Sequence, residues 1–170
     1  ANVPPAMKIL VLISQVPDTT ARIAFTNNNT QYDANGVTFI VNPYDEWYAL
    51  VRALELKEAA GAGSVTSITV GGADNEATIR KALAIGADDA VRVDVAANEA
   101  YQVAAEVAAY AKDKGFDLIL AGKETIDFNG GKVGAMVAEL LDLPYVPLAS
   151  KLDVAGTTAT VERDVPGGVE

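Results

Sequence analysis

Residues 8–14 read KILVLIS, a run whose interior is entirely Ile, Leu and Val and offers no polar residue to mark a solvent face. Such a run suits a strand covered on both sides, which requires a sheet with helices above and below it. Residues 64–70 (SVTSITV), 90–93 (AVRV) and 116–121 (FDLILA) repeat the theme, each separated from the next by a stretch of helical period. Strand and helix in alternation imply βαβ units, hence a mostly parallel sheet joined by right-handed crossovers. The expected fold is an α/β three-layer sandwich with helices on both faces of that sheet.

The helices announce their own ends. Asn42-Pro43-Tyr44-Asp45-Glu46 supplies a cap, a proline suited to the first turn and two acids that complement the positive helix end. Trp47, Leu50, Val51 and Leu54 follow as one apolar stripe, with Trp47 expected in the core and Gly61 as the stop. A second helix spans residues 74–85 and ends at Gly86. A third spans residues 98–114, with Tyr101, Ala104, Val107, Ala108 and Ala111 on one face and Gly115 after it. The last carries Val133, Met136, Val137, Leu140 and Leu141 inward and closes at Leu143-Pro144. Residues 22–25 and 37–41, with Asn35-Gly36 as a turn signal before the second, read as an antiparallel excursion. Residues 151–163 read as a terminal hairpin around Ala155-Gly156.

At 170 residues, length suits one domain, expected over residues 7–170, with residues 1–6 an added remnant ahead of a natural start at Met7. Lys and Arg number 13 against 23 Asp and Glu, a net charge of −10 without a basic cluster, which disfavours a nucleic-acid partner. The chain has no Cys and no His. Disulfides, Cys/His metal sites and any triad that uses imidazole as its base are therefore excluded. No apolar run reaches the length of a membrane span, so a membrane-embedded protein is not expected.

In open α/β sheets ligands lie beyond the carboxyl ends of the strands. Three loops qualify: residues 14–18, 70–74 and 122–132. The last two join a strand to a helix through Gly71-Gly72 and Gly130-Gly131, where missing side chains let backbone N–H groups approach an anion. The same pairs also serve as plain tight turns, and the pattern leaves both readings open. Neither loop is a Walker A or GxGxxG motif. Lys132 adds a positive charge, Tyr44 lies off the apolar stripe and is free to stack on a ring, and Glu124 and Asp127 read as loop-ordering acceptors. No catalytic constellation emerges.

The chain resembles the beta subunit of electron transfer flavoprotein from Met7 to its end. The likeness rests on Met7-Lys8-Ile9-Leu10-Val11, on Asn42-Pro43-Tyr44-Asp45-Glu46, and on Ala77-Thr78-Ile79-Arg80-Lys81-Ala82-Leu83-Ala84-Ile85-Gly86-Ala87-Asp88. Gly122-Lys123-Glu124-Thr125-Ile126-Asp127 and Val161-Glu162-Arg163 complete it in order and spacing. The resemblance implies a Rossmann-like subunit of the adenine-nucleotide-binding type, a carrier and not an enzyme. Such a subunit pairs with an alpha subunit, encloses an FAD with it, and takes electrons from flavin dehydrogenases to a membrane quinone oxidoreductase, as in fatty acid oxidation. The beta subunit itself would hold AMP or a second FAD.

Carried over by position, the resemblance assigns nucleotide binding to Leu12 through its backbone, to Asn42, Pro43, Tyr44, Asp45 and Val70, and to one loop. That loop comprises Gly122, Lys123, Glu124, Thr125, Ile126, Asp127, Phe128, Asn129, Gly130, Gly131, Lys132 and Val133. Where many members have an Asn/Gln/Thr-type run before the helix, this chain has Gly131-Lys132-Val133, so that Lys132 would substitute electrostatically. Pro166 stands where an acid is usual. Members continue beyond this point into a stretch that recognises dehydrogenases and an arm that packs on the alpha subunit, so a shortened chain is expected. The implied compartment is the bacterial cytoplasm, or the mitochondrial matrix in a eukaryote.

Two other classes share a similar sheet. A nucleotide-binding module of the universal stress type calls for a glycine-rich phosphate motif near its last strand, and an adenylating enzyme for a Ser-Gly-Gly-x-Asp-Ser run after its first. The first motif is not evident, and Ser14-Gln15-Val16-Pro17-Asp18 cannot supply the second.

Overall fold

The apolar run at the head of the chain forms β1 (Met7–Leu12), and its side chains alternate between two cores. Ile9, Val11 and Ile13 pack with Leu50, Ala53, Leu56 and Val65 on one face. Leu10 and Leu12 pack with Ile68, Ala104, Val107 and Val137 on the other. The computed structural model describes residues 3–43 and 45–170.

After β1 come β2 (Gln15–Pro17), β3 (Phe25–Thr26), β4 (Gln31–Tyr32) and β5 (Phe39–Val41), all short. Then α1 (Asp45–Ala60) leads to β6 (Gly63–Val70), and a 3-10 turn (Ala73–Asn75) opens α2 (Glu76–Ile85). β7 (Asp89–Val93), α3 (Ala100–Ala111), β8 (Leu118–Leu120) and α4 (Val133–Leu140) follow. The chain ends in β9 (Ala149–Ala155), β10 (Thr158–Val165) and β11 (Gly168–Val169).

The central sheet has the order β7-β6-β1-β8, every pair parallel. From β1 the chain steps outward to β6 and β7, then returns to β8 on the far side of β1. Side chains of α1 and α2 contribute to the first core and those of α3 and α4 to the second, so helices cover both faces. This is the Rossmann-like layering expected, and the order reverses between β1 and β8, the place where open α/β sheets bind ligands in a crevice beyond the carboxyl ends of their strands. Two details fix the centre of the sheet. Gly63 stands opposite Met7 at φ +109°, where a Cβ would come within 2.5 Å of the Met7 carbonyl oxygen, so only glycine can begin β6 there. At the approach to β8, Asp117 Oδ2 accepts from the Lys8 amide at 2.8 Å, while Lys8 Nζ donates to the Lys114 carbonyl at 2.6 Å and lies over the Phe116 ring.

Several expectations are corrected. The strand near residues 22–25 is β3, which pairs with β4 and not with residues 37–41; β5 instead pairs antiparallel with β2. The turn that makes the β3–β4 hairpin uses Asn27, Asn28 and Asn29, all at φ near +50° to +65°, a conformation asparagine tolerates. Asn35-Gly36 does turn, with Gly36 at φ +72°, but joins no strand pair. In α1 the buried residues are Glu46, Leu50, Ala53 and Leu56, so the stripe is rotated and Trp47 is 36% exposed. Tyr101 and Leu140 also lie at the surface, because α3 and α4 pack through the small side chains of Ala104 and Ala108 and through Val107 and Val137. The terminal hairpin is longer than expected and gains a third strand, β11. Among the described residues no helix is long and apolar enough to cross a membrane.

Candidate functional site

The crevice at the β1/β8 switch is built from three pieces: the end of β1, the start of α1 and the loop after β8. Asn42, completely buried, is the joint between them. Its Nδ2 donates to the Glu124 carbonyl at 2.7 Å, its Oδ1 accepts from the Ile126 amide at 3.3 Å, and its own amide donates to the Ser14 carbonyl at 3.3 Å. One fully buried side chain thus satisfies two backbone groups of a half-buried loop more than eighty positions away. Asp45, the first residue of α1, accepts from the Glu124 amide at 3.0 Å through Oδ2. The acid that sequence assigned to the helix dipole therefore serves a second element.

Glu46 was not foreseen as part of this site. It is 6% exposed, and Ser14 donates both its amide, at 2.8 Å to Oε2, and its hydroxyl, at 2.7 Å to Oε1. Burial pushes the carboxyl up to about 8; the two bonds from Ser14 pull the other way, and the charges of Asp127 and Asp45 add to the rise. Gly122 closes over it: a Cβ at Gly122 would come within 2.7 Å of Glu46 Cγ and 3.1 Å of Asp45 Cβ. An acid followed by helical period reads as a solvated cap, so the only signal for Glu46 was its place in the Asn-Pro-x-Asp-Glu run.

The rest of the loop is more open. Asp127 Oδ1 accepts from the Phe128 amide at 2.8 Å, the loop-ordering part expected of it, whereas the Glu124 carboxylate faces Lys123 Nζ at 3.6 Å in solvent. Thr125 accepts from the Asn129 amide at 3.0 Å through its carbonyl, Asn129 takes φ +50°, and Phe128 stands 88% exposed. Gly131 lies so close to Lys123 that a Cβ would meet its carbonyl oxygen at 3.0 Å, while Gly130 has free space. Lys132 occupies the cap position of α4, exposed, and no side chain caps that helix. Its first amides therefore point from a positive helix end without a side-chain acceptor. Val133, half-buried, starts the helix.

The remaining expected residues divide. Leu12 turns its side chain into the second core, which leaves its backbone at the strand end, and Pro43 is half-buried beside Asn42. Tyr44 lies outside the described residues. Val70 ends β6 on the same edge, but its Gly71-Gly72 turn looks after itself. Arg92 Nη1 and Asn75 Nδ2 donate to the Gly71 and Gly72 carbonyls at 3.1 and 3.3 Å, and a Cβ at Gly71 would strike Asn75. Those donors occupy carbonyls; of the amides, that of Gly71 donates to the Val93 carbonyl at 3.0 Å, so the pair has a turn-forming part, and both readings of it stay open. A separate apolar cleft of about 530 Å³ opens between α1, α2 and β5, lined by Phe39, Val41, Trp47, Tyr48 and Lys81, and among the described residues shares only Pro43 with the expected set. Among the described residues no group of three or more acidic, His or Cys residues is placed to hold a metal.

Residues 30–170 match the family described as Electron transfer flavoprotein domain. Among curated relatives, the electron transfer flavoprotein subunit beta of Bacillus subtilis is 41% identical over 96% of this chain and 64% of its own length. The subunit beta of Sus scrofa is 36% identical over 96% of this chain and 66% of its own, and the protein FixA of Azotobacter vinelandii 38% over 96% and 61%. The chain thus spans about two thirds of the length of the relatives it matches. With the Rossmann-like sheet and the Asn42 joint in place, these matches settle that the chain belongs to the electron transfer flavoprotein family, on the side of its beta subunits.

Proposed function

We propose that this chain is the nucleotide-holding part of an electron transfer flavoprotein beta subunit, a carrier component and not an enzyme. It binds AMP, or the corresponding part of a second FAD, in the crevice between β1 and β8. The observation that carries the reading is the latch at Asn42: a buried amide and Asp45 together hold the backbone of residues 124 and 126 in one shape. A loop preorganised in this way loses little further freedom when it closes on a ligand.

The donor set suits a phosphate-bearing nucleotide. The uncapped start of α4, Gly130 with free space above it, and the exposed ammonium of Lys132 offer amides and charge to an anion. Asn42, buried, shapes the loop from behind, Pro43 and Asp45 stand at the same strand edge, and Leu12 brings a strand-end backbone group. When bound in the complete protein, FAD supplies the redox chemistry; this chain's residues bind and orient. The partners that follow are an alpha subunit enclosing the flavin, flavin dehydrogenases as donors and a membrane quinone oxidoreductase as acceptor. The compartment that follows is the bacterial cytoplasm or, in a eukaryote, the mitochondrial matrix.

The test is mass spectrometry of small molecules released on denaturing freshly purified protein, with a melting curve in added AMP or FAD. A bound nucleotide raises the melting temperature as RT ln(1 + [L]/Kd). Release of AMP, or a shift with AMP, supports the reading, and FAD in its place points to a second flavin. No release and no shift with either overturns it.

A further inference from the structure

Glu46 is the one buried acid in the crevice, and no part of the nucleotide reading uses it. We propose that Glu46 is the positioning residue of this site, and that the proton on its carboxyl keeps the loop after β8 latched, so that nucleotide binding weakens as that proton is lost. The inference rests on the nucleotide reading above and deepens it.

The geometry carries the argument. Glu46 sits where three elements meet. From the end of β1, Ser14 gives its amide and hydroxyl to the two carboxyl oxygens. From α1 itself, Asp45 lies beside it and holds the Glu124 amide. From the loop, Gly122 presses on its Cγ and Asp127 adds a second carboxylate. Among the described residues no lysine or arginine forms an ion pair with Glu46. In the neutral form Oε2 still accepts the Ser14 amide while a proton on Oε1 is donated to the Ser14 hydroxyl oxygen, and Asp45 is left free to hold Glu124. An ionised carboxyl makes three carboxylates around one corner, and the repulsion falls on Asp45, which holds the Glu124 amide, and on Asp127, which belongs to the loop itself. Burial and those same neighbours raise the carboxyl to about 8, so the change falls between pH 7 and 9. The phosphate of AMP is already about nine-tenths ionised at pH 7, with its second pKa at about 6, so its own titration does not weaken binding over that range.

If only the protonated form is competent, apparent affinity follows its population, and AMP binding measured by calorimetry weakens about tenfold from pH 7 to pH 9. In Glu46→Gln, an uncharged isostere, binding at pH 7 is retained and the pH dependence is gone. Ser14→Ala removes a bond that favours the ionised form, so its midpoint moves to higher pH. A purely structural part for Glu46 would move neither profile. Affinity in the parent chain that is equal at pH 7 and 9, or an unchanged slope in Glu46→Gln, overturns the proposal while leaving the nucleotide reading intact. AMP that binds at no pH sinks the nucleotide reading instead. The latch then still has a ligand-free readout in hydrogen exchange of the Ile126 amide, corrected for its intrinsic rate. Protection falls between pH 7 and 9 in the parent and holds in Glu46→Gln if the proton secures the loop; equal protection at both pH values overturns it.

Discussion

The Cα of Gly122 lies against the side chain of Glu46, so close that a Cβ at residue 122 would stand 2.7 Å from Glu46 Cγ and 3.2 Å from its backbone nitrogen. One of these neighbours is backbone at the first turn of α1 and cannot swing away. Gly122→Ala must therefore push the loop after β8 off the helix, at a cost of about 1–3 kcal/mol as in other overpacked sites. The expected outcome is a lowered melting temperature together with a loss of AMP binding larger than that at Gly130→Ala, where the added carbon meets only Thr125 Oγ1 at 3.9 Å. Thermal melts and calorimetry on the two variants check it. Equal behaviour of the pair would show that the contact does not shape the site.

Asn42→Ala asks a different question of the same joint. Truncation leaves the Ile126 amide and the Glu124 carbonyl without partners in a buried place. Each orphaned group costs about 1–3 kcal/mol where water cannot replace the partner. Because the loop can open to solvent, part of that cost is avoided by local loosening, which predicts faster exchange at Ile126 with a smaller drop in global stability. Asn42→Asp fails differently: it keeps an acceptor for Ile126 but has no donor for Glu124, and it sets another carboxylate near Glu46. Its melting temperature is expected below that of Asn42→Ala at pH 8.

Sheet and loops were legible because their signals are local. An unbroken apolar run such as residues 8–14 admits few interpretations, and once β1, β6 and β8 are parallel their loops share one edge. What escaped depends on neighbours distant in sequence. The inward face of α1 could not be read from hydropathy, since the rule that sends acids outward fails at Glu46, whose partner Ser14 lies on another strand. Trp47 falls on the apolar stripe with Leu50, Val51 and Leu54, yet the rotation of α1 that buries Glu46 leaves it lining a surface cleft. The two glycine pairs look alike in sequence. Both lead to helix starts that no side chain caps, and they differ in their neighbours: Arg92 and Asn75 donate to the carbonyls of the first pair, whereas Gly131 of the second packs on the Lys123 carbonyl.

The raised carboxyl of Glu46 makes a prediction about stability in the absence of any ligand. Its folded value of about 8 lies above its ordinary 4.5 in the unfolded chain, so the folded state holds the proton more tightly. The stabilisation is fully present below about pH 4.5 and is lost as pH rises toward 8, at a slope of up to about 1.4 kcal/mol per unit, and is flat above. The chain has no His, the side chain that ordinarily titrates in that range, so the part of the slope that disappears in Glu46→Gln is the part that belongs to Glu46. Asp18 and Asp88, both held low by hydrogen bonds, act in the opposite sense and only in more acidic solution. Melting temperature is expected to fall from pH 5 to pH 8 in the parent chain and to stay nearly level in Glu46→Gln, so that the variant is the more stable protein at pH 8.5.

Arg52 gives a prediction for the terminal hairpin, which meets the first core through Leu152 and Val154. From the middle of α1 its Nε and Nη2 donate to the Leu152 carbonyl at 3.0 and 2.6 Å, and Nη2 reaches Asp153 at 3.4 Å. The ion pairs to Glu55 and Asp153 are half in solvent and contribute little. The doubled bond to a backbone carbonyl is the stronger element, since a guanidinium presents two donors in a fixed fork that an ammonium lacks. Arg52→Ala and Arg52→Lys are both expected to loosen the docking, by about 1–2 kcal/mol for the first after allowance for exposure, and by less for the second. The β9–β10 ladder is internal to the hairpin and does not depend on Arg52. Hydrogen exchange should therefore stay slow at the ladder amides of Asp153 and Thr160, which stand opposite one another, while proteolysis of the segment joining α4 to β9 speeds up. Loss of protection at both would mean that the hairpin forms only when docked on α1.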